Sequence, residues 1–322
     1  MQKQYDVTAI GELLIDFTEN GLSSQGNPLM EANPGGAPCN VLAMLQKLGH
    51  RTAFIGRVGD DMFGRRLKTA VEEIGIDADG LVLDREVNTT LAFVHTAPDG
   101  DRDFSFYRNP GADMRLCVED IRKEQTDNCV IFHFGTLSST HEGCRAATRL
   151  AVERAKRAGA VISFDPNIRE PLWRSLDDAR RETAWGLSMC DILKISDNEI
   201  LWFTEKDNYD DAIAFLQETY HVPLILLSMG REGSRACQGS RSVTVPALLR
   251  EDTVETTGAG DTFCACVLHY VLTHGLRDFS GEELTAMLTY ANTAASLITT
   301  RKGALRVMPS PEEIENAMKA LG

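Results

Sequence analysis

The sequence predicts an α/β protein: a mostly parallel sheet covered by helices on both faces, with a small β-sheet element beside it as a lid. Three observations predict it. Short β-branched runs alternate with helix-period segments along most of the chain. Several of those runs are continuously apolar, as strands buried on both faces must be. Two stretches, 18–33 and 91–107, break the alternation.

Taken in order, the sheet strands are expected at 6–15, 52–58, 129–134, 160–165, 191–195 and 222–228. Helices are expected at 38–48, 63–74 and 141–158, stopped by Gly49, Gly75 and Gly159, where a left-handed residue ends the last turn. The stretch 18–33 is polar and glycine-bearing. The stretch 91–107 reads as a strand, a Pro98-Asp99-Gly100 turn and a second strand in which Phe104 and Phe106 alternate. A lid is one reading of these two stretches and ordinary surface hairpins the other. No repeat, low-complexity tract or Pro/Ser-rich linker divides the 322 residues, so one domain with lid insertions at about 18–33 and 90–110 is expected.

Composition narrows the function. At 43% hydrophobic and 25% charged residues the chain has ordinary globular values. Thirty-three Lys and Arg against 47 Asp and Glu leave a net charge of −14, which disfavours coating nucleic acid or an anionic membrane. No apolar run approaches the ~18 residues needed to span a bilayer. Glu12 and Asp16 interrupt the first apolar stretch, so it does not read as a signal peptide, and the cytoplasm is the expected compartment. The eight cysteines are scattered without zinc spacing and read as reduced thiols. Cys264 and Cys266, the closest pair, read as packing residues in an apolar helix.

The most informative segment is Thr256-Thr257-Gly258-Ala259-Gly260-Asp261, which precedes a helical pattern of Phe263, Val267 and Val271. A helix N-terminus presents unpaired N–H groups and partial positive charge, and small residues let a phosphate approach them. Gly258, Ala259 and Gly260 therefore suit an anion hole. Asp261 beside them suits a base that takes a hydroxyl proton as the oxygen attacks a phosphoryl group. A Gly-Asp pair at a helix start also serves as a plain cap. The Walker spacing with its lysine is absent.

A second glycine element, Gly35-Gly36, precedes another helix, with Asn40 in its first turn. Paired glycines let a neutral polyol lie against the backbone, and Asn40 offers a donor and an acceptor. Asp16, read as closing the first strand, could accept two hydroxyl hydrogens at the carboxyl edge of the sheet, or serve as a turn residue. Arg169, past a strand end, could grip a phosphoryl group or a substrate carboxylate, or form a surface ion pair with Glu170 or Asp165. Arg57, Arg108 and Arg231 are anion-contact candidates that could equally be solvated charges. His133, in an apolar strand, reads as a packing residue.

The Gly35-Gly36…Asn40 element, the segment from Gly56 to Gly64 and the Thr256 to Asp261 element resemble, in order and spacing, the two signatures of the ribokinase-like, phosphofructokinase-B type carbohydrate kinases. The late Asn292 and Lys302-Gly303-Ala304 elements extend the likeness over nearly the whole chain. The resemblance implies a three-layer αβα domain with a β lid, ATP and Mg²⁺, and Asp261 as base. It implies nucleotide contacts from Lys194, Ser228, Gly230, Gly233, Gly258, Gly260 and Asn292. It implies sugar contacts from Asp16, Gly35, Gly36, Asn40, Phe106 and Arg108, with Arg169 near the transfer.

The family's Asn-x-x-Glu element, which orders water around Mg²⁺, stands here as Ser196-Asp197-Asn198-Glu199. Glu199 is kept and serine replaces the asparagine. The family's monovalent cation site uses an aspartate where this chain has Glu255, which leaves K⁺ open. The segments around Phe106 and Arg169 resemble fructokinases, implying phosphorylation of the fructose 6-hydroxyl and a homodimer. Ketodeoxygluconate and riboside kinases share much of the pattern. A silent sugar-binding regulator on the same fold is the reading from another class, and the presence of both Asp261 and Glu199 speaks against it.

Overall fold

The computed structural model of the chain describes residues 3–96 and 102–320. Its strands are β1 (Tyr5–Ile10), β2 (Leu14–Leu22), β3 (Pro28–Gly35), β4 (Thr52–Gly59), β5 (Asp77–Asp84), β6 (Leu91–Thr96), β7 (Arg102–Tyr107), β8 (Cys129–Phe134), β9 (Val161–Phe164), β10 (Ile192–Ser196), β11 (Leu224–Ser228), β12 (Ser234–Gln238) and β13 (Arg241–Val245). The helices are α1 (Ala37–Lys47), α2 (Met62–Ile74), α3 (Lys123–Asp127), α4 (Glu142–Arg157), α5 (Leu176–Met189), α6 (Asp197–Thr204), α7 (Tyr209–Tyr220), α8 (Ala259–His274), α9 (Gly281–Ile298) and α10 (Pro311–Lys319).

Nine strands form one sheet in the order β13-β12-β11-β10-β9-β8-β1-β4-β5, parallel from β11 to β5 and antiparallel at β12 and β13. Alternation along the strands sorts side chains into two cores. Ile131, Ile192, Leu224 and Leu226 face α1, α8 and α9, whereas Phe132, Phe134, Leu193, Ile195, Ile225 and Leu227 face α4 to α7. Helices on both faces give three layers, and burial on both faces explains the apolar runs in the sequence.

The first expected strand is corrected. The apolar run 6–15 is two strands in two sheets, broken at Gly11, where a Cβ would come 2.5 Å from Pro38 of α1. Leu13, Leu14 and Ile15 stay buried after the break, so hydrophobicity carries no mark of it. Asp16 accordingly belongs to β2 and does not close β1. The second sheet, β3-β2-β6-β7, assembles both stretches that broke the alternation, and starts at Leu14 instead of about residue 18. The Pro98-Asp99-Gly100 turn lies outside the described residues. The acid-rich β5 and the short antiparallel β12 and β13 were not foreseen; none has the long apolar run of a central strand.

Candidate active site

Two cavities, of about 570 and 440 Å³, meet at the N-terminus of α8, where Lys194, Thr256 and Gly260 line both. The larger takes Ser228, Gly230, Gly233 and Asn292 as expected, together with Ala259 and Arg231. The turn after β11 needs its glycines, because Gly230 and Gly233 have φ of 52° and 111°. Asn292 shapes this wall: it donates through Nδ2 to the carbonyls of Val245 and Pro246, and its Oδ1 accepts from Ser234 Oγ.

The smaller cavity takes Asp16, Gly36, Asn40, Phe106, Arg169, Gly258 and Asp261. Residues far apart in sequence meet here because β2 and β7 bring Asp16 and Phe106 from the second sheet, while α1 and α8 start at its base. Gly35 lies behind the wall and leaves room for Asp16: a Cβ there would collide with Asp16 Oδ2. At Gly36 φ is 126° and a Cβ would come 2.5 Å from the Glu12 carbonyl oxygen.

Asp261, in the first turn of α8, is half-buried and accepts a hydrogen bond from Asn40 Nδ2 at 2.8 Å. Burial raises its carboxyl above the usual range, against the opposing pull of Asn40, Lys194 and Arg169. Asn40 Oδ1 is buried without a hydrogen-bond partner. Gly258, with φ of 77°, starts the helix in the left-handed region and carries no side chain that would cover its amides.

Beneath α8 lies a buried charge cluster. Lys194 Nζ is 3.0 Å from Asp165 Oδ2, with the two residues 7% and 3% exposed. Burial opposes the ammonium, but Asp165, Glu199 and Asp261 outweigh it and hold Lys194 charged. Burial pushes Asp165 up to about 7, with Lys194 opposing and Glu199 and Asp261 adding to the rise. Glu199 accepts from the Ile168 amide through Oε1 and from the Ser196 amide and hydroxyl through Oε2. Burial works to raise its carboxyl, but Lys194 and these donors hold it below the usual range. Serine at position 196 thus forms a reciprocal helix cap with Glu199.

Several expected residues stand elsewhere. Arg108 lines neither cavity; it is 7% exposed, with its guanidinium on Asp113 at 2.6 Å, Thr140 Oγ1 at 2.9 Å and the Leu137 carbonyl at 3.1 Å. Since Leu137 lines the smaller cavity, Arg108 braces the wall from behind. Arg57 is held by Asp84 and Asp120. Asp165, weighed as a surface partner of Arg169, points inward to Lys194. Glu255 borders neither cavity and accepts from the Gly303 amide at 3.1 Å. His133 is buried with Nδ1 3.0 Å from Ser163 Oγ, and burial drives its pKa down to about 3, as a packing residue requires.

Glu12 and Asn167 are among the cavity residues that the sequence did not mark. Glu12 accepts from the Ala37 amide at 3.0 Å and is pushed up to about 7 by burial. Asn167 has φ of 44° just after β9. The sequence signal available was a lone carboxylate inside an apolar run for the first and an Asp-Pro-Asn turn for the second.

The chain is similar to curated proteins and solved structures named as fructokinases. "Probable fructokinase-2" of Arabidopsis thaliana is 38% identical over 316 residues, covering 97% of this chain and 95% of its own. "Fructokinase-1" of Zea mays is 36% identical over 310 residues, covering 96% of each. Among solved structures, a fructokinase with bound ATP from Xylella fastidiosa superposes with a TM-score of 0.89 at 29% identity, covering 98% of this chain and 99% of the other. A fructokinase of Vibrio cholerae O395 bound to fructose, ADP and calcium ion gives 0.87 at 26%, covering 97% and 98%. The model described as "pfkB family carbohydrate kinase" matches residues 4–311, and the chain belongs to that family of sugar-phosphorylating enzymes.

Proposed function

We propose that the chain transfers the γ-phosphoryl group of ATP to the 6-hydroxyl of D-fructose, with Asp261 as general base. The observation that carries this reading is the position of Asp261, at the helix start where the two cavities join and hydrogen-bonded to Asn40. Asn40 holds one carboxylate oxygen and leaves the other for the hydroxyl proton. Its own buried Oδ1 supplies an acceptor that a polyol would satisfy. The amides of Gly258 and Gly260 face charge developing on the phosphoryl oxygens, whereas the Ala259 amide, also expected there, donates to the Thr256 carbonyl at 3.2 Å.

Fructose is favoured over a sugar acid because the sugar end of the smaller cavity carries Asp16, whose ionised form would repel a carboxylate. The named fructokinase relatives support the same choice. The second sheet acts as a lid within one domain: Asp16 and Phe106 come from it, so its closure completes the sugar's walls and excludes water.

Mg²⁺ belongs to this reading, with its charge spread over the phosphates. Among the described residues no group of three His, Cys, Asp or Glu side chains could hold a metal ion. A metal carried by phosphate oxygens and water needs no such group, and Glu199 would be its protein contact through water. Glu255 would offer oxygen to K⁺.

Two chains pairing through their lids fits the exposure of Leu22, Leu29 and Tyr107 on that sheet. A cytoplasmic location fits eight free cysteines. Among the described residues no helix is long and apolar enough to cross a membrane.

The test is ADP release over fructose, ribose, ketodeoxygluconate and ribosides, with Asp261→Asn as control. Fructose should give the highest kcat/KM, and the variant should lose about 10²-fold or more in kcat. A better rate on ketodeoxygluconate would overturn the substrate assignment, and a wild-type rate in the variant would remove Asp261 as base.

A further inference from the structure

We propose that Glu12 is a sugar-recognition residue, holding the start of α1 with one carboxyl oxygen and a non-reacting hydroxyl of the sugar with the other. The proposal rests on the reading above that the smaller cavity takes the sugar, and deepens it.

Placement is the first argument. Glu12 stands in the short joint between β1 and β2, lines the smaller cavity and is only 5% exposed. Its Oε1 accepts from the Ala37 amide at 3.0 Å, whereas Oε2 has no hydrogen-bond partner among the described residues. A polar atom left unpaired on so buried a residue costs free energy, and a ligand filling the cavity is what remains to pair it.

The second argument is that the protein's own groups are spent elsewhere. Arg108, whose charge draws on this carboxyl, is committed to Asp113, to Thr140 Oγ1 and to the Leu137 carbonyl, and Asp113 pushes the other way. Nor is Glu12 well made for capping α1 alone. A helix N-terminus is best served by an ionised carboxylate, yet burial pushes Glu12 up to about 7.

That state selects the kind of ligand. Near neutrality such a carboxyl exists in both forms, so Oε2 can donate in one and accept in the other. A hydroxyl donates and accepts, and matches either form; a ligand carboxylate only accepts. Asn40 adds a second point of contact. It stands one turn along α1 from Ala37 on the same cavity wall, and its Oδ1 is also without a partner. Two unpaired polar atoms, anchored about a helical turn apart, suit a compact polyol that presents hydroxyls along its ring.

The test measures sugar kcat/KM in wild type, Glu12→Ala and Glu12→Gln. The sugars are fructose and the deoxy and anhydro analogues that each lack one hydroxyl other than the 6-hydroxyl. Glu12→Ala should lower kcat/KM for fructose about tenfold or more, with KM for ATP within about twofold. Glu12→Gln, which keeps the α1 contact and a polar group toward the sugar, should lose less. For one analogue the ratio of wild type to Glu12→Ala should collapse to within about twofold, because the hydroxyl that Glu12 meets is already gone. Infrared difference spectra supply a readout in the unaltered chain. Fructose without nucleotide should shift the carboxyl band that Glu12→Gln lacks, and that same analogue should leave it in place.

An equal ratio of wild type to variant for every sugar would overturn the proposal, since a brace on α1 is blind to which hydroxyl is missing. A Glu12 carboxyl band that fructose leaves unmoved would overturn it too, and that measurement stands even if Glu12→Ala does not fold. Failure of the fructose assignment would show instead in the wild type, and the same cycle would then use analogues of whichever sugar it phosphorylates.

Discussion

The two cavities meet at one helix start yet are made differently. The larger joins glycines in the left-handed region after β11, the apolar run Ala247 to Leu249 and an asparagine whose amide is spent holding carbonyls in place to a charged rim of Lys194, Asp197, Arg231 and Arg250. The smaller presents Glu12, Asp16, Asp261 and Arg169, ionisable groups partly or wholly out of water. A site formed by shape spreads its binding over many weak contacts and tolerates single losses. A site formed from desolvated charges concentrates its function in a few atoms.

This contrast can be broken or sharpened by single substitutions. The largest effect after loss of Asp261 itself is expected for Asn40→Ala, which frees the base and removes a polyol acceptor. It should lower kcat/KM for the sugar about 10²-fold with KM for ATP nearly unchanged. Gly35→Ala comes next, because the new methyl would displace Asp16; sugar KM should rise about tenfold, and an unchanged KM would show that Asp16 is not a sugar ligand.

Asn292→Ala, on the larger cavity, should raise KM for ATP only a few-fold and leave the sugar terms alone. A loss as large as that at Asn40 would erase the distinction between the cavities.

The smallest effect is one of stability. Glu12 has a folded value of about 7 against an ordinary 4.5, so the fold prefers it protonated. Its contribution is full below pH 4.5 and is lost as pH rises through about 7. Glu12→Gln cannot ionise, so its Tm relative to wild type should climb across that window and then level. A constant difference would mean that Glu12 stays charged in the fold.

Much of this was legible in the sequence for a physical reason. Residues 129–134 and 191–195 declare themselves because double burial makes most of their side chains apolar, and the left-handed stops at Gly75 and Gly159 need no tertiary information. The glycines before Asn40 and Asp261 are visible because close approach to the backbone excludes side chains.

What was not legible depends on pairing. The break at Gly11 is set by Pro38, 27 residues away, and leaves the apolar pattern intact. Arg108 is placed at the sugar by resemblance; that it braces Leu137 from behind follows from where Asp113 and Thr140 stand. Lys194 was placed with the nucleotide by resemblance, but Asp165 as its partner follows only from the parallel register of β9 and β10.

The short joint between β1 and β2 has a mechanical consequence. Only Gly11, Glu12 and Leu13 separate a strand fixed in the central sheet from one of the second sheet, and Glu12 also grips the first amide of α1. Were the second sheet to swing as the proposed lid, it would pivot on a residue geared to the helix that carries Asn40. Its movement would then be felt at the hydrogen bond between Asn40 and Asp261.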